Sequence, residues 1–240
     1  MKQIIALWAH QRALSTAFLR MMIERNDVTV IHEPLVTLLD TGEVPLPDGS
    51  GGQTVVRSER AFFDHLRVLA EHRPVFFKDT VEHRYRYLFE HPEEVADIEH
   101  TFIVRDPAPT ISSMYHMKPT IALHEVGYEH LFEIFELATR LKGSAPVLVD
   151  ADRLVEAPQA VVQRYCEEVG LPFIASALQW QPGDRPEWGR TRQWHLDAMR
   201  SSGFAATHKT YPDTVANNAV LKGYFDHHYP FYRQLVQHAI

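Results

Sequence analysis

Cysteine is almost missing from this sequence, because Cys166 is the one instance in 240 residues. A lone cysteine cannot form an internal disulfide, and it argues against a cysteine-based zinc site. Basic residues are also scarce: 24 lysines and arginines face 31 acidic residues, for a formal net charge of −7. This balance disfavours a nucleic-acid-binding protein, which needs a basic surface to neutralise phosphates. Any anion site must therefore be local.

Long apolar runs are missing as well. The first apolar segment spans only about six residues before His10, too short for the hydrophobic region of a secretory signal. No later segment approaches the ~20 apolar residues of a membrane span. The fifteen histidines show no zincin-like spacing, so no metal site is predicted. These absences together predict a cytoplasmic protein that contacts neither membrane nor nucleic acid.

Short apolar segments alternate with helical patterns along most of the chain. The five segments are rich in Val, Ile or Phe, as strands buried on both faces are: Gln3–Trp8, Val28–His32, Pro74–Lys78, His100–Arg105 and Pro146–Asp150. The alternation predicts a three-layer α/β/α fold around a central parallel sheet of about five strands. We expect a single domain over residues 1–240, with a glycine-rich mobile loop at 40–56 and a mainly helical part at 151–240.

The first strand is followed by a basic turn and a helix, in the stretch "IIALWAHQRALSTAFLR". In open α/β sheets, ligands bind beyond the carboxyl ends of the strands. A helix N-terminus there offers unpaired N–H groups to an anion. Arg12 adds a fixed charge, and the hydroxyls of Ser15 and Thr16 add donors. The turn contains no glycine and no Walker pattern, so this segment alone is equally compatible with an ordinary capped helix.

A second basic turn follows the fourth predicted strand, in "FIVRDPAPTISSMY". Asp106 is a favoured N-cap and Pro107 fits the first helical position, so a helix should begin there. Arg105 ends an otherwise apolar strand, and Ser113 lies about two turns into the helix. The two side chains can face one cleft, as a second phosphate would require.

With both turns in view, the chain resembles the sulfotransferases that use 3′-phosphoadenosine 5′-phosphosulfate. "HQRALST" resembles the family's 5′-phosphosulfate loop, with Arg12 as its basic residue and Ser15 and Thr16 as its hydroxyl pair. Arg105 and Ser113 match the arginine and serine that hold the 3′-phosphate. The resemblance therefore implies one guanidinium at each end of the donor and a fold like that of P-loop nucleoside triphosphate hydrolases.

The resemblance continues in "VLVDADRLVEAPQAVVQRYCEEVGLPF" and covers most of the chain. Gln11 departs from the usual proline of the first loop, and Ala13 from the usual serine or glycine. Family members also place basic residues near the 3′-phosphate from the C-terminal part, which could be Arg190 or Arg192. The implied reaction transfers a sulfuryl group from the donor to a hydroxyl or amine of a small-molecule acceptor. It releases adenosine 3′,5′-bisphosphate and needs no metal.

Catalysis of this transfer requires cations over the leaving phosphate and a base for the acceptor proton. Arg12 and Lys78 are the predicted cations. Glu33 and His83 are the leading candidates for the base, because the resemblance includes members with a glutamate or a histidine at such places. His32 and Asp79 also stand at strand ends and remain open as bases.

Two other functions fit parts of the pattern. A P-loop-type small-molecule kinase would bind ATP and magnesium, with Asp150 as a metal ligand, but the Walker lysine and glycines are missing. A non-catalytic nucleotide-binding relative would retain the fold and lose the chemistry, which the departures at Gln11 and Ala13 would permit. The acceptor and the oligomeric state are not specified by the sequence.

Overall fold

We describe the protein from a computed structural model of the chain, which covers residues 3–205 and 209–240 and leaves out the side chains at positions 186, 187, 190 and 191. The strands are β1 (Ile4–Ala9), β2 (Thr29–His32), β3 (Val44–Pro47), β4 (Gln53–Val56), β5 (Val75–Thr80), β6 (Glu99–Val104) and β7 (Leu148–Asp150). The α-helices are α1 (Ser15–Arg25), α2 (Pro34–Thr41), α3 (Glu59–Leu69), α4 (Arg86–Glu90), α5 (Pro107–Met117), α6 (Tyr128–Lys142), α7 (Ala151–Glu156), α8 (Pro158–Glu168), α9 (Leu196–Arg200) and α10 (Ala219–Val236). Short 3₁₀ segments lie at Pro92–Val95, Leu123–Val126, Ala175–Leu178 and Pro186–His195.

The central sheet has five parallel strands in the order β2-β5-β1-β6-β7. This confirms the predicted fold class. The register pairs Ala9 with Thr80, His32 with Lys78 and Val104 with Asp150. Because all five strands run the same way, the turns that follow these residues meet at one edge of the sheet.

Both faces of the sheet are buried, which explains why its strands are continuously apolar. Side chains alternate along a strand, so Trp8 and Phe77 pack into one hydrophobic core while Leu7 and Phe76 pack into the other. Truncating one of these aromatic rings to alanine would cost about 3–5 kcal/mol. The edge of the sheet that carries these turns therefore lies between two well-packed cores.

The segment at 40–56 differs from its prediction as a loop, because it forms the antiparallel hairpin β3-β4. Val44 and Leu46 alternate with prolines and are buried in the core. The Asp48 carboxylate closes the turn by accepting the N–H of Gly52 at 3.0 Å. Glycine richness thus marks the turn between two strands, and the mobility of the segment stays a prediction.

The part of the chain after β7 is mainly helical. Helix α10 packs against α5 and α6, where Tyr224 donates to the carbonyl of Ile121 at 2.9 Å. In the described ranges, no helix combines the length and apolar character needed to cross a membrane.

Candidate active site

A cavity of about 530 Å³ opens where the turns after β1, β5 and β6 converge. It brings together eight of the side chains predicted from the sequence. These are Arg12, Ser15, Thr16, Glu33, Lys78, His83, Arg105 and Ser113. Arg12 and Arg105 thus share one continuous cavity, with the strand-end residues between them in the same lining.

The first turn adopts a strained backbone without glycine. Arg12 and Leu14 both have a φ of 64°, in the left-handed region, which costs on the order of 1 kcal/mol for each such residue. Leu14 also precedes α1, whose N-terminus has no side-chain cap and no acidic residue in its first turn. The free N–H groups of α1 and the residues Ser15 and Thr16 therefore face the cavity as an anion-binding surface.

The Arg12 guanidinium is held by groups from two other parts of the chain, α5 and residues 194–197. Its Nε donates to Ser113 Oγ at 3.0 Å, and its Nη1 donates to the carbonyl of Trp194 at 3.0 Å. Its Nη2 forms an ion pair with Asp197 at 2.9 Å. Asp197 also pairs with Lys209 at 2.6 Å. A carboxylate thus lies between two cations inside an anion-binding cavity.

Partial burial would raise the pKa of Asp197, but its bonds to Lys209 and Arg12 lower that pKa below its usual value. The carboxylate is therefore charged at neutral pH. It bridges the Arg12 guanidinium and the Lys209 ammonium at the cavity wall.

Two further residues from the last quarter of the chain contact the predicted hydroxyl residues Thr16 and Ser113. Thr16 Oγ1 lies 3.0 Å from His195 Nδ1, and the Tyr211 hydroxyl donates to Ser113 Oγ at 3.0 Å. Burial, and then the nearby charge of Lys78, lower the pKa of His195 to about 3. His195 is therefore a neutral hydrogen-bonding group at physiological pH.

The second turn is fixed through its backbone as well as its side chain. Arg105 Nε pairs with Asp152 at 3.0 Å, and the Arg105 carbonyl accepts from the Tyr128 hydroxyl at 2.7 Å. The Arg105 N–H donates to His10 Nε2 at 3.0 Å, while His10 Nδ1 donates to the carbonyl of Gln11 at 2.8 Å. Burial lowers the pKa of His10 to about 3. A neutral histidine thus ties the two turns together.

Helix α5 begins at Pro107, as predicted. The Asp106 carboxylate accepts the N–H of Ala108 at 2.7 Å and caps the helix. This N-terminus is therefore already matched with an anion from its own chain.

Lys78 and Glu33 form a buried ion pair between Nζ and Oε1. Glu33 takes a left-handed φ of 46° just before α2. Burial alone would raise the pKa of Glu33, but the charges of Lys78 and then of His32 lower it well below its usual value. Glu33 is thus an ionised partner of Lys78 that binds protons weakly.

His83 reaches the cavity from the turn after β5, and its Nε2 lies 2.9 Å from Asp40 Oδ1. Its side chain is 37% exposed and that of Asp40 is 33% exposed, so both are open to the cavity. The neighbouring Glu82 is bound by the Gln11 side chain. Burial raises the pKa of Glu82.

The remaining candidates for the base do not line the cavity. Asp79 is fully buried and caps α2, with its carboxylate accepting the N–H groups of Leu35 and Val36 at 2.8 and 3.1 Å. Burial raises the pKa of Asp79 to about 8. His32 lies with Nε2 3.5 Å from Glu33 and its ring against that of His195.

Arg192, a predicted ligand of the 3′-phosphate, lies away from the other predicted residues, and its role stays a prediction. Its side chain is 57% exposed and pairs with Asp184 at 2.7 Å, and it does not line the cavity. The exposed Asp184 carboxylate thus pairs with the Arg192 guanidinium outside the cavity. The side chain of Arg190 lies outside the described residues.

The residues of the cavity lining that were not identified from the sequence include Asp40, Asp197, Lys209 and Tyr211. No spacing pattern marks them, because their partners lie between 12 and 185 positions away. The resemblance suggested basic residues in the C-terminal part, and Lys209 is such a residue.

A group of possible metal ligands also lies here. His32, Glu33 and His195 place ligand-type atoms within 4.8 Å of one another. Lys78 already bonds to Glu33. A cation at this point would therefore face the ammonium group and would have to displace it.

Comparisons with known proteins match the chain to one family. The model of the sulfotransferase domain family matches residues 1–239. In Arabidopsis thaliana, the branched-chain-amino-acid aminotransferase-like proteins 2 and 1 are 29% and 27% identical over 217 and 216 residues. These alignments cover 88% of this chain, which spans 38% of the length of each relative.

Solved structures share the fold at low sequence identity. A sulfotransferase domain from the curacin biosynthetic pathway aligns over 85% of this chain and 84% of its own, with a TM-score of 0.52 and 16% identity. A sulfotransferase domain from the olefin synthase of Synechococcus PCC 7002 covers 95% of both chains, with a TM-score of 0.53 and 16% identity. A sulfotransferase from Alicyclobacillus acidocaldarius covers 83% of this chain and 93% of its own, with a TM-score of 0.50 and 11% identity.

Proposed function

Because the chain belongs to the sulfotransferase domain family, we propose that it transfers a sulfuryl group from 3′-phosphoadenosine 5′-phosphosulfate to a hydroxyl or amine of a small-molecule acceptor. The observation that carries the proposal is the convergence of two basic turns on one cavity. Arg12 and the uncapped start of α1 line it beside Arg105 and Ser113. Two anionic groups on one ligand can be matched there.

Each end of the donor has a chemically suitable partner. The 5′-phosphosulfate would lie at the start of α1, where Ser15, Thr16 and the backbone N–H groups supply donors. The 3′-phosphate would meet Arg105 and Ser113. Lys78 and Arg12 would stabilise the charge that develops on the leaving phosphate oxygen, which is the largest electrostatic requirement of the reaction.

Glu33 and His83 are both candidates for the base, since both line the cavity. The acceptor hydroxyl would enter between the strand ends, within reach of Lys78. Its oxygen would attack the sulfur in line with the bond to the 5′-phosphate.

A kinase reading is less well supported by the residues. Asp150, its candidate magnesium ligand, caps α7 by accepting the N–H groups of Asp152 and Arg153 at 2.8 and 3.3 Å. The Asp152 carboxylate pairs with Arg105. Both carboxylates thus have structural partners, and the first turn has no Walker lysine.

Calorimetric titration with adenosine 3′,5′-bisphosphate tests the proposal, with ATP plus magnesium as the competing ligand. We expect tighter binding of the bisphosphate and no change in its affinity when a chelator is added. Donor turnover should also persist with the chelator. Tighter binding of ATP that requires magnesium would favour the kinase. Bisphosphate binding without turnover of the donor with any acceptor, water included, would favour a non-catalytic relative.

A further inference from the structure

Asp40 and His83 come from separate elements and meet at the wall of the cavity. Asp40 lies in the last turn of α2, and His83 follows β5. His83 Nε2 and Asp40 Oδ1 are 2.9 Å apart, and both side chains line the cavity together with Lys78. No motif of the sequence pointed to Asp40.

The contact determines which imidazole nitrogen holds the proton. A carboxylate accepts hydrogen bonds, so Nε2 of His83 must be the protonated nitrogen. In the neutral ring, Nδ1 then keeps its lone pair. No residue in the described part of the chain makes a hydrogen bond to Nδ1. This arrangement leaves one ring nitrogen ready to take a proton.

The other candidate for the base is poorly prepared for that task. Glu33 is bound to the ammonium group of Lys78 and is almost fully buried. Its pKa is held well below the usual value by Lys78 and His32 against the opposing effect of burial. Protonation of this carboxylate is unfavourable, because it would leave the buried ammonium of Lys78 without its counter-charge. Glu33 is better suited to hold Lys78 in place.

We propose that Asp40 is a positioning residue for sulfuryl transfer: its carboxylate holds His83 in the tautomer and orientation in which Nδ1 accepts the proton of the acceptor hydroxyl. This inference rests on the proposed function and adds the choice of base to it. Orientation of an imidazole by a carboxylate also stabilises the imidazolium that forms.

Atoms and electrons are conserved in this transfer. The acceptor oxygen forms a bond to sulfur, while the bond from sulfur to the bridging 5′-phosphate oxygen breaks and its electron pair stays on that oxygen. The acceptor proton moves to His83 Nδ1. The products are the sulfate ester, adenosine 3′,5′-bisphosphate and an imidazolium ion, which returns its proton to solvent.

The test is a double-mutant cycle on hydrolysis of the donor, in which water serves as the acceptor. We expect His83→Asn to lower turnover by about 100-fold or more and Asp40→Asn by about tenfold. The double variant should turn over no more slowly than His83→Asn alone, because Asp40 acts through His83. Bisphosphate affinity should stay unchanged in all three variants.

A matched control comes from the pair His227–Glu129, which is 3.2 Å apart and similarly exposed but does not line the cavity. Glu129→Gln should leave turnover unchanged. A second readout is the ¹⁵N spectrum of His83, which should report the Nε2-protonated tautomer in the parent protein and a mixture of tautomers in Asp40→Asn.

The possible failures are distinguishable. Absence of both bisphosphate binding and donor turnover would overturn the proposed function, and the inference with it. Binding and turnover with additive effects of Asp40→Asn and His83→Asn would overturn the inference alone. Full turnover in His83→Asn combined with its loss in Glu33→Gln would assign the base to Glu33 instead.

Discussion

The two basic turns differ in whether the N-terminus of the helix that follows is capped. After β1, Arg12 lies in a strained turn, and α1 begins without any side-chain cap. After β6, Asp106 caps α5 with its own carboxylate, and Arg105 is held through its backbone by His10. The first turn leaves its helix N-terminus open for an external anion, whereas the second has its helix N-terminus already capped and its arginine paired with Asp152.

This difference predicts unequal roles for the two arginines. The first turn should provide most of the affinity for the donor, because a guanidinium, two hydroxyls and free N–H groups act together there. The second turn should provide discrimination, since Arg105 and Ser113 can meet a group that only a 3′-phosphorylated nucleotide carries. Four experiments test this contrast.

Arg12→Ala should weaken binding of adenosine 3′,5′-bisphosphate by about 100-fold, because two charge-assisted hydrogen bonds to the ligand would be lost. Calorimetry measures the effect. Arg57→Ala is the matched control, because Arg57 forms an exposed ion pair with Glu43 outside the cavity. Equal affinity in Arg12→Ala and the parent protein would contradict a binding role for the first turn.

Arg105→Ala should weaken bisphosphate binding by about tenfold and leave the affinity for adenosine 5′-monophosphate unchanged. The reason is that Arg105 would contact only the 3′-phosphate, which adenosine 5′-monophosphate lacks. Competition titrations with the two nucleotides measure the ratio. Equal losses of affinity for both nucleotides would show that Arg105 does not act on the 3′-phosphate specifically.

Acidification should weaken the link between the turns. The pKa of His10 is about 3 in the folded chain, below its unfolded value of about 6.5. The unfolded chain therefore binds the proton first, so this contribution is complete above about pH 6.5 and is lost as the pH falls toward 3. Between about pH 7.5 and 5.5, His10 should account for about 1.4 kcal/mol of lost unfolding free energy.

Urea unfolding of the parent protein and of His10→Gln measures this contribution. Glutamine can still accept from the Arg105 N–H but does not titrate, so the variant should lose less unfolding free energy over the same pH range. Other buried histidines, including His100 and His228 with pKa values of about 4, titrate equally in both proteins. Parallel pH profiles would argue against a neutral His10 bridge.

Asp197→Asn should tighten bisphosphate binding by up to about fivefold, because a partly exposed ion pair of at most about 1 kcal/mol no longer competes for Arg12. Asp152→Asn is the comparison variant, since Asp152 pairs with Arg105 but does not line the cavity. It should change affinity less. Weaker binding in Asp197→Asn would mean that the carboxylate orients Arg12 instead of competing with the ligand.

Local motifs predicted the sheet, the helix starts and the two turns, because each depends on neighbouring residues. Helix α1 begins at Ser15 as expected, and Asp106 caps α5. The sequence could not tell which of Lys78 and Asp79 faces the cavity. Consecutive strand residues point to opposite faces, and both faces of this sheet are apolar and buried.

Long-range partners escaped prediction for a different reason. The contacts of Arg12 with Trp194 and Asp197 join residues more than 180 positions apart, and no periodicity encodes such pairs. The hairpin at 40–56 was missed because its turn glycines were conspicuous, while the apolar residues Val44 and Leu46 were separated by a proline.

The bond between Arg12 and Asp197 joins the first turn of the chain to its last quarter. An incoming anion and residues 194–197 therefore compete for the same guanidinium. Binding of a ligand in the cavity is thus thermodynamically linked to the packing of residues 194–197. By reciprocity, a substitution that weakens the packing of this segment should change the affinity for the nucleotide more than it changes the melting temperature.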